Sequence, residues 1–257
     1  ALGVDVGRLS FVHADRLIEE PGYWTSLLRV SKRLTLARVR RALTILGRRV
    51  SERDIDFAKL IYPSMQVTDI FTLGVNLCLG GEDQRRAHVL AREVAPKIGR
   101  DKPVAVHTPL LIGLQGVGRM GVPKGRREDV LIDAKMSKSR PETCIFVHDA
   151  PAAIRRKILK AYCPPGEVAM NPVLEIARHV VFPRVGALLV GRPRAYGGPL
   201  TLNSYEDLVR EYIRGLHPLD VKTAVADALI GILSPVREYF RRHPSYLRRV
   251  ESMAITR

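Results

Sequence analysis

Thr72-Leu73-Gly74-Val75-Asn76-Leu77-Cys78-Leu79-Gly80-Gly81 is a short, mostly apolar run closed by a glycine pair. The pattern predicts a buried strand over Thr72 to Leu79, ending in a tight turn. Glu82 to Val94 follows with helical spacing and acids in its first turn, where the helix dipole favours them. Val104-Ala105-Val106-His107 supplies a second strand. Strand, glycine turn, helix, strand predicts a parallel α/β sheet with right-handed crossovers.

Outward from this block the chain reads as mostly helical. Val30, Leu34, Leu36, Val39, Leu43 and Leu46 recur at helical spacing, so one helix is expected from Ser31 to Leu46. Ile55, Phe57, Leu60 and Ile61 predict a helix from Asp54 to Ile70, with Pro63 at a break or kink. Gly116 to Asp133 is glycine-rich and charged, which predicts a loop or hairpin. Cys144 to Val147 suits a short strand, and Ala152 to Tyr162 a helix stopped by Pro164-Pro165-Gly166. Asn171 to Val181 is a further expected helix, ended before Pro183, with a β-like run at Leu188 to Val190. Tyr205 to Ile213 and Pro218 to Phe240 are expected as helices, the latter with an apolar stripe. A domain change is placed near Pro164 to Gly166, giving residues 1–163 and 164–257.

The chain has 257 residues, 46% apolar and 26% charged, ordinary for a globular protein. Its net charge of +16 is not ordinary. Such an excess suits a polyanionic partner, most often nucleic acid, or else a generally basic proteome. The cations are scattered along the sequence, so charge alone locates no face. Cys78, Cys144 and Cys163 are sparse and form no C-x-x-C pair, which argues against a disulfide framework or zinc site and for small buried residues. No apolar run approaches the roughly 20 residues of a membrane span, and Ala1 to Asp5 has no signal-peptide pattern. The expected location is intracellular, in the cytoplasm.

Three blocks could carry chemistry. Lys135-Met136-Ser137-Lys138-Ser139 puts two ammonium groups and two hydroxyls on one polar loop. It can bind a triphosphate and stabilise charge on departing pyrophosphate, or be a solvated basic loop. In the second block, Tyr62, Gln66 and Asp69 share a helix face by their spacing. They suit either a polar ligand or a surface patch with a helix-end aspartate. The third is Gly80-Gly81-Glu82-Asp83-Gln84, whose glycines let a ligand approach the backbone before a helix N-terminus. His88 beside it reads better as a structural histidine.

Together these blocks resemble the class I aminoacyl-tRNA synthetases, with the lysine pentapeptide as signature, and specifically the archaeal and eukaryotic type of tyrosyl-tRNA synthetase. The likeness covers about residues 55–240, including His107-Thr108-Pro109, Ala161-Tyr162-Cys163-Pro164 and Leu216-His217-Pro218-Leu219-Asp220. It implies a partial Rossmann-type parallel sheet followed by a mainly helical anticodon-binding domain. By the same resemblance Tyr62, Gln66 and Gln84 hold the amino and carboxyl ends of substrate tyrosine, and Asp69 accepts from its phenol. Lys135 and Lys138 are then catalytic. ATP lies on Lys135, Met136, Ser137, Lys138 and Ser139, with Gly80, Gly81 and Asp83 near the ribose or the substrate. A buried acceptor facing a substrate hydroxyl rejects phenylalanine by roughly 10⁴ or more; tyrosyl-tRNA synthetases themselves are the reference case for that magnitude.

Tyr196 is expected to stack on an anticodon base, as in single-stranded RNA readers. His217 and Asp220 are expected at the first anticodon base, although an acid also suits a first helical turn without any ligand. The resemblance implies tRNA(Tyr), tyrosine and ATP as partners, magnesium with the ATP, and a homodimer. The related tryptophan enzyme and a tRNA-binding module without catalysis are the alternatives. The sequence departs from the family twice. None of His13, His88, His107, His148, His179, His217 and His243 stands in the family's histidine-glycine signature, so the sequence is expected to be the C-terminal portion of a longer synthetase. Arg119 to Ala134 stands as an insertion before the lysine loop.

Overall fold

The computed structural model describes residues 3–46, 55–117 and 127–252. The chain forms two compact units: residues 5–110 with 124–133, and residues 111–123 with 134–257 and the first four. In the first unit, a single-turn helix α1 (Ala14–Ile18) precedes α2 (Tyr23–Ser31), α3 (Leu36–Ala42) and α4 (Phe57–Thr72). The one helix expected over residues 31–46 is therefore two pieces. Thr35 breaks it, because its hydroxyl caps a new helix by accepting from the Arg38 amide.

Helix α4 is capped by Asp56, whose carboxylate accepts from the Lys59 amide; the expected start at Asp54 lies outside the described residues. Pro63 sits inside the helix rather than at a break. An interior proline costs about 3 kcal/mol, but burial of Val67 and Ile70 returns about 1.5–3 kcal/mol each. Thr68 is fully buried, and its hydroxyl is satisfied by the Ser64 carbonyl at 2.8 Å.

The helix continues to Thr72, so the expected strand starts late. Gly74 takes a φ of 62°, the Val75 amide returns to the Ile70 carbonyl, and the Gly74 amide to Phe71. That is a Schellman cap, and Leu73-Gly74 belong to it. Strand β1 (Leu77–Gly81) pairs in parallel with β2 (Val104–Thr108), in register Leu77↔Val104 through Gly81↔Thr108. The parallel pairing meets expectation; the burial does not. Only Cys78 of β1 is buried, and Leu79 is 69% exposed. Helix α5 (Arg85–Val94) connects the strands, and its Leu90, Ala91 and Val94 share a core with Val30, Ala42, Val67, Ile70 and Cys78.

Within the expected loop over residues 116–133, α6 (Arg127–Ala134) is a helix, with Val130 and Ile132 buried. Arg86 of α5 holds its Asp129 at 2.8 Å. The same helix occupies the end of the inserted segment; residues 118–126 lie outside the described ones.

The second unit contains α7 (Pro151–Lys160), α8 (Pro172–Ile176), α9 (Phe182–Val185), the antiparallel pair β3 (Leu188–Val190) and β4 (Leu200–Leu202), α10 (Tyr205–Ile213), α11 (Pro218–Ile232), α12 (Ser234–Arg242) and α13 (Pro244–Ser252). Ile154, Ile158, Val173, Leu174, Leu208, Val221 and Val225 centre its core. Buried Tyr212 donates to the Pro164 carbonyl at 2.6 Å and stands 3.2 Å from Cys163 Sγ, so the segment after α7 is tied to α10.

Three expectations fail here for local reasons. Cys144 to Val147 is not a strand: the Asp149 carboxylate takes the Phe146 amide at 2.9 Å and the buried Lys157 ammonium at 2.7 Å, which curls the segment into a turn. The helix from Asn171 does not end before Pro183. A wide turn over Ala177–Val181 leads into α9, where Pro183 sits in the first turn and its missing N–H has no helical bond to lose. The helix from Pro218 divides at Leu233, with Pro235 opening α12. All three cysteines are free and buried, as expected.

Gly116 has a φ of 71°, and a Cβ there would lie 2.5 Å from the Tyr162 ring. Gly116→Ala is expected to lower the unfolding free energy by at least about 2 kcal/mol, from left-handed strain plus overlap. Urea denaturation would read this as a lower midpoint at constant slope.

Candidate functional site

Helix α4 carries Tyr62, Gln66 and Asp69 at three- and four-residue spacing, so they share a face. The structure brings Gln66 and Gln84 together: the Gln66 amide donates to Gln84 Oε1 at 3.0 Å, and Gln84 Nε2 donates to the Ile45 carbonyl at 3.3 Å. Gln84 reaches this position from a single 3-10 turn, Glu82–Gln84, directly after β1. Tyr62 stays at the surface, 49% exposed.

Asp69 meets a residue that no motif or spacing singles out. The Tyr23 hydroxyl of α2 donates to Asp69 Oδ1 at 2.7 Å, across 46 residues of chain. Burial raises the Asp69 carboxyl above the usual carboxylate range, and the Tyr23 bond opposes that rise. Burial and the adjacent carboxylate in turn push the Tyr23 phenol up, so it remains the donor. No spacing rule links a lone helical tyrosine to an aspartate so distant in sequence.

Asp83 is buried beside the glycine pair. A Cβ on Gly81 would lie 2.7 Å from Asp83 Oδ1 and 3.0 Å from Leu110 Cδ2, and one on Gly80 would lie 3.1 Å from Gln84 Cβ. What crowds the glycine backbone here is the protein's own side chains. His88, under the same turn, is buried with Nδ1 2.9 Å from His107 Nε2 of β2.

Basic side chains line two clefts of this unit, one of them holding Arg33, Arg38, Arg92, Lys97 and Lys102. Arg38, Arg41, Arg85 and Arg86 line a space of about 790 Å³ with Asp129. In it Arg86 is paired with Asp129, and Arg38 with Glu93.

In the second unit the lysine loop is anchored at its root and open at its tip. Lys135 pairs with Ile112 as an antiparallel bridge, and the Met136 amide donates to the Leu111 carbonyl at 2.6 Å. The Met136 side chain packs on the core. The chain then turns: the Ser137 and Ser139 hydroxyls stand 2.9 Å apart, and the Arg140 amide returns to the Ser137 carbonyl. Lys138 and Ser139 are exposed. The two hydroxyls and the Lys138 ammonium thus sit on one tight turn.

Tyr196 is 74% exposed on the short turn Arg194–Tyr196. His217 caps α11, its Nδ1 accepting from the Leu219 amide at 3.2 Å, and Asp220 lies in the first turn of that helix. Among the described residues no hydrogen bond or ring contact joins Tyr196 to either. His217 therefore has a structural duty whatever else it touches, and Asp220 stands where the helix dipole favours an acid.

A carboxamide pair, a phenol-held carboxylate and a lysine loop on an α/β frame match one class. The family model of class I tRNA synthetases (W and Y) matches residues 1–134 and 130–234, and the chain belongs to that family of aminoacyl-tRNA ligases, which use ATP as substrate. It is 54% identical over 255 residues to the tyrosine–tRNA ligase of Aeropyrum pernix, covering 98% of this chain and 70% of that one. It is 47% identical over 259 residues to the tyrosine–tRNA ligase of Saccharolobus solfataricus, covering 99% of this chain and 71% of that one. Among solved structures, the tyrosyl-tRNA synthetase of Pyrococcus horikoshii complexed with L-tyrosine aligns with a TM-score of 0.86 at 44% identity, over 98% of this chain and 71% of that one. The expected class I α/β fold is thereby met.

Burial, and then the charge of His107, hold His88 below the ordinary imidazole value of about 6.5. The unfolded chain therefore takes the proton first. The stability is fully present above that ordinary value and is lost as the pH falls through the lowered one. Calorimetric melting is expected to show Tm falling as the pH drops below about 6.5, with part of that slope removed in His88→Gln.

Proposed function

We propose that the protein is a tyrosine–tRNA ligase that activates tyrosine with ATP and transfers the tyrosyl group to tRNA(Tyr). In the first step a tyrosine carboxylate oxygen attacks the α-phosphorus. The bond to the β-phosphate breaks, and pyrophosphate leaves with the electron pair. In the second step a hydroxyl at the 3′ end of tRNA attacks the carbonyl carbon and AMP departs. Catalysis is positioning plus electrostatic stabilisation.

The observation that carries the reading is the Asp69 carboxylate, partly buried on the same helix face as Gln66 and already accepting from a phenol. An acceptor that suits one phenolic hydroxyl suits another. Tyr62, Gln66 and Gln84 are assigned to the amino and carboxyl ends of the substrate, and Gly80, Gly81 and Asp83 to the ribose side. Lys135 and Lys138 are assigned to the ATP phosphates, with Met136, Ser137 and Ser139 in support. The names of the similar archaeal ligases support tyrosine over tryptophan. An indole ring also has no hydroxyl for Asp69 to read.

Magnesium does not fit as a protein-held ion: among the described residues no three His, Cys, Asp or Glu side chains cluster. It belongs with the incoming nucleotide, and no step here passes through it. The functional division proposed is residues 1–163 for catalysis and 164–257 for the anticodon, with Tyr196, His217 and Asp220 at the bases. The arginine cleft supports a polyanionic RNA partner. No described helix is long and apolar enough to cross a membrane; a cytoplasmic homodimer is the proposed state, and light scattering at twice the chain mass would bear it out.

The test is amino-acid-dependent ATP–pyrophosphate exchange by the longest natural form of the polypeptide, across all standard amino acids. Tyrosine alone is expected to support exchange. Lys138→Ala is expected to slow it about 10²-fold or more, the scale for losing one donor to developing charge, while tyrosine binding is retained. Exchange with tryptophan would overturn the role of Asp69. Absence of exchange in a protein that binds tRNA would favour the non-catalytic module.

A further inference from the structure

We infer that Tyr23 is a positioning residue for amino-acid selection: its hydroxyl occupies one oxygen of Asp69 and so aims the other at the phenol of the substrate. The inference rests on the tyrosine-ligase reading and adds a residue to it. Tyr23 is 1% exposed, so its hydroxyl cannot turn to bulk water. Its ring meets the edge of Trp24 at 5.9 Å, and α2 packs directly on α4. Among the described residues, Asp69 is the one hydrogen-bond partner of the Tyr23 hydroxyl, and Tyr23 is the one side chain bonded to the Asp69 carboxylate.

A carboxylate offers about four acceptor sites on two oxygens. Unrestrained, it turns between rotamers, and ordering it on binding weakens affinity. A phenol fixed by core packing removes that freedom before the substrate arrives. Oδ1 is committed at 2.7 Å, which leaves Oδ2 as the open acceptor. The discrimination attributed to Asp69 then depends on a second, buried residue as well. Were the bond only a staple between two helices, losing it would weaken the fold without changing which amino acid is chosen.

The test is Tyr23→Phe, which deletes one oxygen and keeps the ring, measured by pyrophosphate exchange in the longest natural form with tyrosine and phenylalanine in parallel. Wild type and Asp69→Ala are controls on the underlying reading. If wild type does not exchange with tyrosine, or Asp69→Ala keeps the tyrosine preference, that reading fails and the inference falls with it. Where both controls behave, Tyr23→Phe is expected to raise KM for tyrosine about tenfold, the scale for one hydrogen bond to a charged group. The change should leave kcat near wild type and cut the tyrosine-to-phenylalanine ratio by a similar factor. Combined with Asp69→Ala, it should add little further loss, because the two act through one carboxylate.

An unchanged KM, an equal loss for both amino acids, or additive losses would each overturn the inference. Should Tyr23→Phe unfold by circular dichroism, Tyr23→Met, which keeps much of the buried apolar volume and no donor, carries the test. Tyrosine KM is then expected to rise about tenfold with the phenylalanine KM unchanged. An unchanged tyrosine KM in that variant would overturn the inference equally.

Discussion

Helix Phe57–Thr72 buries one face in a core and carries Tyr62, Gln66 and Asp69 on another. Everything else in the first unit follows from that double duty. Val67 and Ile70 lock the helix against α2 and α5, so Gln66 and Asp69 cannot drift. Tyr23, on the helix that provides part of that core, reaches across to the carboxylate. The packing that stabilises the unit therefore also sets where an acceptor points. This is the preorganisation a selective polar site requires, since the ordering is complete before the ligand binds.

The lysine loop obeys a different rule. Lys135 is tied into a bridge with Ile112, and Met136 is fixed to the core, while Lys138 and Ser139 remain at the surface. A triphosphate needs cations that can approach it, and a lysine stem serves as a mobile point charge where an arginine fork would be more fixed. A rigid root with an open tip suits that need. The arginines of the cleft in the first unit, by contrast, lie against α3 and α5, as expected of a surface that meets an extended polyanion.

Much of the fold was legible in the sequence because it is local. Tyr205 to Ile213 reads as a helix and is one, and the two strands around the glycine turn pair in parallel. The failures sit at residues whose effect depends on tertiary context. Pro63 reads as a break or kink but lies inside a helix packed along one face, whereas Pro235 does open a new one. Gly74 reads as part of a strand, yet its positive φ closes a helix. The lysine loop and the Tyr62-to-Asp69 face were visible as motifs. Family likeness assigns Gln66 and Gln84 to one substrate without implying that they touch, and neither the Gln66–Gln84 contact nor the Tyr23–Asp69 bond is legible in the sequence, since each joins distant segments through folding alone.

On the proposed reading, a held carboxylate on α4 selects tyrosine by its hydroxyl. Calorimetric titration of L-tyrosine and L-phenylalanine into the protein without ATP measures that selection with binding separated from chemistry. Tyrosine should bind with measurable heat, and phenylalanine should bind weaker by about 10⁴-fold or more, a scale for which tyrosyl-tRNA synthetases are themselves the reference case. Equal affinities for the two amino acids would contradict the claim.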